Sequence, residues 1–161
     1  MPRTPKRPKA AHSKMSAEKE PKALLRRPGV ADGKALILSF SFVDRAYEGT
    51  WGWPRGSEDP TTAAALLDLL CDLSKSTWDE LRGHTTGGRT GHRKHHPQDV
   101  RGLCQEAQRR LAEMQLDQIF GDEIFRFRHG NTGRLWGFVQ GSVFHIVWWD
   151  PDHMVYPTEA G

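Results

Sequence analysis

Two stretches of this chain concentrate side chains that could handle a phosphate ester. The first is C-terminal: Arg126 and Arg128 alternate along one side of an extended segment, Arg134 opens the next segment, and His129, His145, His153 and Tyr156 lie close by in sequence. Arginine can hold a phosphate and stabilise the charge that grows on it. An imidazole titrating near neutrality can move a proton to or from a ribose 2′-hydroxyl or a leaving oxygen. These are the parts of a phosphodiester-cleaving site. The competing reading pairs the three arginines with Glu123, Asp150 and Asp152 as surface ion pairs, which contribute little. The second stretch, Arg82 to His96, holds Arg82, His84, Arg89, His92, Arg93, Lys94, His95 and His96, with no acid between Glu80 and Asp99. Gly87, Gly88 and Gly91 would let a ligand approach the backbone closely. A sugar-phosphate backbone suits such a loop, although the GxxxxGK[ST] spacing is absent; the alternative is a solvated linker. His92, His95 and His96 have no Cys, Asp or Glu among them to complete a tetrahedral site, so no metal is expected. There is no dinucleotide fingerprint, no nucleophile elbow and no Cys-His pair of recognisable context.

The elements that must position these groups follow from periodicity. Residues 123–156 predict three antiparallel strands, broken at His129-Gly130-Asn131-Thr132-Gly133 and at Gln140-Gly141. Phe125 and Phe127 point to the core and Arg126 and Arg128 away from it. In the third strand Phe144, Ile146 and Trp148 oppose Val143, His145, Val147 and Trp149; being apolar on both faces, it reads as a central strand covered on each side. It ends at Asp150-Pro151-Asp152. Residues 35–44 predict a first strand and 46–59 a loop, in which Trp51 and Trp53 act as packing lids. A helix starts with Asp59 as N-cap and Pro60 at its first position, and Leu66, Leu69, Leu70 and Leu73 form its stripe. Ser76 and Asp79 suggest the cap of a short second helix bearing Trp78 and Leu81. Residues 83–97 contain no aliphatic side chain and are expected to be exposed. A third helix spans Gln98 to Gln115, with Val100, Leu103, Cys104, Ala107, Leu111 and Met114 on one face. The fold class is therefore α+β: an antiparallel sheet of about four strands against two or three helices, in the order β-α-α-α-β-β-β.

The chain has 161 residues and a formal charge of +3, enough for one domain of ordinary size. Residues 1–34 hold ten Lys or Arg against three acids, a net of +7, which leaves −4 on the remainder. The high pI is thus a property of the arm, and the domain, residues 35–161, is mildly acidic. Residues 1–27 carry four prolines and little to bury, so the arm of residues 1–34 is expected to be disordered and suited to touching a polyanion. Cys71 and Cys104 sit in apolar patterns and read as reduced core thiols. No apolar run reaches membrane-spanning length and no hydrophobic segment follows the basic N-terminus. The expectation is a cytoplasmic protein with no membrane partner and no cofactor.

The order of elements resembles that of the RelE/ParE superfamily of small bacterial toxins. The segment FRFRHGNTGRLWGFVQGSVFHIVWWDPDH is similar to that family's closing strands, with alternating arginines, an arginine opening the middle strand and a histidine after the last. The resemblance implies an endoribonuclease that cleaves messenger RNA on the ribosome without metal and is held in check by an antitoxin protein. It also implies roles. Arg134 matches the strand arginine that binds phosphate, and His153 or Tyr156 the C-terminal acid or base, with Arg128 beside them. Arg126, Arg89, Arg93, Lys94, His95 and His96 would contact RNA. The long loop after the first strand and the His-rich insertion depart from the family pattern. GRLWGF and FHIVWWDPDH are also similar to uncharacterised small bacterial and phage proteins. The alternative function is a non-enzymatic binding or adaptor protein.

Overall fold

The computed structural model describes residues 34–54, 60–85 and 91–157. The basic arm up to residue 33, the cap at Asp59 and Arg89 lie outside the described residues. Five strands form one mixed sheet in the order β1-β5-β4-β3-β2: β1 (Ile37–Ser39), β2 (His96–Asp99), β3 (Glu123–His129), β4 (Gly133–Gln140) and β5 (Val143–Asp150). β1 runs parallel to β5 and every other pairing is antiparallel. The helices are α1 (Pro60–Ser74), α2 (Trp78–Gly83), α3 (Gln105–Glu113) and α4 (Leu116–Phe120), with a 3-10 turn at Val100–Gly102.

The α+β class and the three C-terminal strands agree with the sequence reading. Several finer expectations do not. The sheet has five strands and is mixed, because Ile37, Leu38 and Ser39 pair with Val143, Phe144 and His145 in parallel. The first strand is three residues long, not ten; past it, single bonds such as Asp44 N–H to the Val147 carbonyl continue along the edge of β5. Residues 83–97 are not an exposed loop throughout: His95 is buried, and His96 begins β2. The helix expected at 98–115 is a strand end, a 3-10 turn and α3, since Asp99 accepts from the Arg101 N–H and caps the turn instead. α3 is followed by a second short helix, α4, beyond the expected end at Gln115, whose φ of 57° leaves the helical basin and separates the two. The cap of α2 is Thr77, one residue later than expected, in a reciprocal box with Glu80. Cys71 is exposed rather than a core thiol.

Each face of the sheet is sealed by its own pair of helices. On one face Phe127, Leu135, Phe144, Ile146 and Trp149 pack with Leu66, Leu69 and Leu73 of α1 and with Trp78 and Leu81 of α2. On the other, Ile124, Trp136, Phe138, Val147 and Trp148 pack with Ala107 and Leu111 of α3 and Leu116 of α4. Burying one such large side chain stabilises by roughly 1.5–3 kcal/mol. The alternation of β5 is broken once. Trp136 pairs with Trp148 and Gly137 with Ile146, so Val147 is an extra residue that turns Val147 and Trp148 to the same face. Trp149 consequently joins Phe144 and Ile146, the reverse of the strict period-two expectation. The bulge lies against Gly137, where a β-carbon would collide with the His145 carbonyl oxygen.

A buried network ties the loop after β1 to α3. Asp44 accepts from Arg110 Nε and Nη2 at 2.9 and 2.6 Å and from the Trp148 indole at 3.1 Å. Burial alone would raise the Asp44 carboxyl, but the bonds from Arg110 and Trp148 outweigh it and hold it below its ordinary value of 3.8. That stability is present above pH 3.8 and is lost as pH falls through the lower folded-state value. Asp44→Ala, which leaves the Trp148 indole and the Arg110 Nε and Nη2 donors unpaired while Glu113 still holds Nη1, is expected to destabilise by about 3 kcal/mol, read as a fall in the urea midpoint that shrinks toward acid pH. Gly137→Ala is expected to cost about 2 kcal/mol or more by overpacking the bulge, measured in the same titration.

Candidate anion-binding site

The pairing register brings the C-terminal cations together. Arg128 lies opposite Arg134, which lies opposite Asp150 on its other side; one step along, His96 lies opposite Arg126. Directly paired residues share a sheet face, so Arg126, Arg128 and Arg134 occupy the α3 side near the end of β5. The turn after β5 carries His153 to the same place. His153 has a φ of 59°, a left-handed conformation uncommon without glycine, and its Nε2 accepts from Arg126 Nη1 at 3.1 Å. Tyr156 follows, its ring over Gly102, close enough to Arg126 to influence its charge.

The guanidinium of Arg126 is held between two imidazoles, since His96 Nε2 accepts from Nη2 at 2.7 Å. Both rings must present a lone pair there and are therefore neutral. The His96 Nδ1–H donates to the Pro97 carbonyl at 3.0 Å, which fits that tautomer. None of the three clustered arginines is in an ion pair among the described residues, unlike Arg101, Arg109 and Arg110. The surface ion pairs with Glu123, Asp150 and Asp152 are thus not formed. Asp150 is buried and already occupied, accepting from the Met154 and Val155 N–H groups at 2.9 Å each and from the Trp136 indole at 3.3 Å. Arg134 donates to the carbonyls of Gly133 and Asn131, at 2.8 and 3.2 Å. The Nε atoms of both Arg126 and Arg134 are buried without a partner, an arrangement that calls for an explanation in a native fold.

The electrostatics follow from crowded cations. Burial, then Arg126 and Arg128, pulls Arg134 down to about 10, although Asp150 opposes this. Burial, then Arg134, Arg126 and Arg128, lowers His153 to about 4. His96 is lowered by burial and then by Arg126, the bond to Pro97 opposing it. Beyond burial, the arginines depress one another and the two histidines, and that part of the effect is a surplus positive potential that an anion would relieve.

Not every residue read as RNA-contacting joins this cluster. His95 is 4% exposed. Its Nδ1 accepts the Arg128 backbone N–H at 3.0 Å, so its proton sits on Nε2, 3.4 Å from His84 Nδ1. Burial first, then Lys94 and His84, lowers it to about 3. This ring extends the β2–β3 ladder and is a structural group, not an exposed contact. The Lys94 N–H donates to the His84 carbonyl. Arg93 lines a separate groove with Trp78 and Arg82 on the α2 side. His145 packs against Phe42 and Phe120 and is lowered by burial alone. Sequence reasoning missed the bridging of Arg126 by His96 and His153. HPQD carries no apolar alternation to mark β2 as a strand, so the His96 register with Arg126 left no signal. Among the described residues no group of three or more His, Cys, Asp or Glu could hold a metal ion, and no helix is long and apolar enough to cross a membrane.

No family model, no curated protein and no solved structure matches the chain.

An NMR titration checks the potential at this site. The imidazole of His153 is expected to titrate near 4 in dilute chloride buffer, and added inorganic phosphate should move its midpoint upward. Because its folded value lies below the ordinary 6.5, this histidine reduces stability as pH falls from 6.5 toward 4, and phosphate should weaken that loss. A midpoint near 6.5 that ignores phosphate would remove the site.

Proposed function

We propose that this chain binds RNA through the Arg126, Arg128 and Arg134 cluster and cleaves it, as a toxin-like endoribonuclease. The observation that carries the reading is the Arg126 guanidinium, bonded to two neutral imidazoles and to no carboxylate. An arginine in such surroundings retains its full attraction for a phosphodiester.

The chemistry follows from what the phosphate would displace. With phosphate oxygens taking up the Arg126 and Arg134 donors, the His153 Nε2 lone pair loses its bond to Arg126 and becomes available. It removes the proton from the ribose 2′-hydroxyl, whose oxygen attacks phosphorus. The bond from phosphorus to the 5′-oxygen breaks, leaving a 2′,3′-cyclic phosphate. Tyr156 delivers a proton to the departing oxygen, and the proton on His153 returns to it through solvent. The bound anion also raises the depressed His153 value toward neutrality, where a proton carrier works best. Messenger RNA on the ribosome would be the substrate by the RelE/ParE resemblance, with an antitoxin protein as partner and the cytoplasm as its location.

A specific observation favours a second reading, a non-enzymatic adaptor. Phe40 and Leu67 are 51% and 60% exposed and both adjoin Trp53, a run of apolar surface of the kind that marks a partner. Overexpression without toxicity, together with a stable co-purifying protein, would support that account.

The two are separated by comparing growth arrest and cleavage of a defined RNA for the parent chain, Arg134→Ala, Arg126→Ala and His153→Ala. Loss of Arg134 or Arg126 is expected to slow cleavage on the order of 10²-fold, and loss of His153 by about 10²-fold or more. Undiminished activity in all three would sink the assignment.

A further inference from the structure

Arg126 sits among like charges and must be kept in place against them. Arg128 follows it two residues along β3, and Arg134 lies opposite Arg128 on β4. Arg128 and Arg134 both act against its positive charge, and among the described residues no carboxylate pairs with it. Its Nε is buried without a partner. The guanidinium is therefore held by the two imidazoles that accept from Nη1 and Nη2.

Those imidazoles are anchored differently. His96 is a ladder residue of β2, directly opposite Arg126 in the register. Its Nε2 accepts from Arg126 Nη2 at 2.7 Å, its Nδ1–H donates to the Pro97 carbonyl at 3.0 Å, and the Gln98 side-chain amide lies 3.4 Å from the same Nδ1. The bond at one ring nitrogen fixes the tautomer and so the lone pair presented by the other. His153 stands beyond the sheet, on a turn, at a left-handed φ of 59°. It accepts at the longer distance of 3.1 Å, and Arg126 is the one hydrogen-bond partner of its ring among the described residues. An entering anion thus displaces His153 more readily than His96. The type of acceptor matters as much as its anchoring. A carboxylate at residue 96 would hold the guanidinium firmly and cancel its charge. A neutral imidazole fixes its direction and leaves the charge in full. Guanidinium has five N–H donors, so those freed at Nη1 remain for phosphate oxygens. His96, expected from the sequence to touch RNA, spends its Nε2 on Arg126 instead.

We infer that His96 is the positioning residue of Arg126: it stays bonded to Nη2 while a phosphate takes the place of His153 at Nη1, keeping the guanidinium aimed without neutralising it. This deepens the RNA reading above and rests on it for the phosphate. The test follows the Arg126 guanidinium and His153 ring resonances of the isotope-labelled full chain during titration with inorganic phosphate. In the parent, Nη1 and Nη2 should give distinct signals. His96→Ala, which releases one side of the guanidinium, should average them and weaken phosphate binding roughly tenfold, the order of one hydrogen bond to a charged group. His96→Gln places an oxygen where Nε2 stands, accepting from Nη2 without taking up a proton, and should restore both signals and affinity. His96→Glu should keep the signals distinct and lose affinity, because it holds Arg126 and neutralises it. Parent-like phosphate binding in His96→Ala or His96→Glu overturns the inference, and so does a His96→Gln that binds as weakly as His96→Ala. Cleavage of a defined RNA separates this from the nuclease assignment. A parent that binds phosphate in a His96-dependent way but leaves the RNA intact keeps the positioning role and removes the nuclease. A parent that cleaves, with His96→Ala equally fast, does the reverse.

Discussion

A strand that is apolar on both faces cannot lie on a surface, and β5 imposes that constraint on the whole molecule. Phe144, Ile146 and Trp149 demand one covering layer, and Val147 and Trp148 demand another. α1 and α2 supply the first, and α3 and α4 the second. The chain between β1 and α1 runs along the free edge of β5, where the carbonyls of Val147 and Trp149 accept from Asp44 and Gly52. Without that strand there would be no common end at which the arginine row and the His153 turn meet.

The bulge at Val147 matters for the same reason. It costs one ladder position, for which Gly137 supplies the room, and it reverses the facing of everything after it. Trp149 is thereby sent to the α1 side and Asp150 to the arginine side. Asp150 then spends its oxygens on the amides of Met154 and Val155, which folds the 150–155 turn back onto the sheet. A carboxylate that would have neutralised Arg134 is instead used to shape the turn that delivers His153. Structure and surplus charge come from one side chain, so the positive potential of the cluster is a consequence of how the chain turns.

The two histidine populations illustrate how context decides chemistry. His153 and His96 are held neutral first by burial and then by the guanidinium groups they face. His95 stays neutral chiefly because it is buried against Phe127, with its Nδ1 closing the ladder to Arg128. His145 is enclosed by Phe42 and Phe120. Only the first pair meets a cation that lacks a counter-charge.

The three closing strands, their turns, the leucine stripe of α1 and the shared face of Arg126 and Arg128 were legible in the residue order; that Arg134 joins them came from the register of β3 with β4. Period-two alternation and turn residues are local signals, carried by the chain wherever it folds. β2 was not legible, because His96-Pro97-Gln98-Asp99 has no apolar alternation and becomes a strand only when β3 offers its edge. The parallel pairing of β1, the bulge at Val147 and the burial of His95 likewise depend on partners distant in sequence. Local periodicity therefore determined which segments extend or coil and which cations share a side. Whether those cations meet carboxylates or imidazoles was decided by the tertiary fold, since pairing register and a left-handed residue after β5 set the distances between groups that the sequence holds up to 57 residues apart, from His96 to His153.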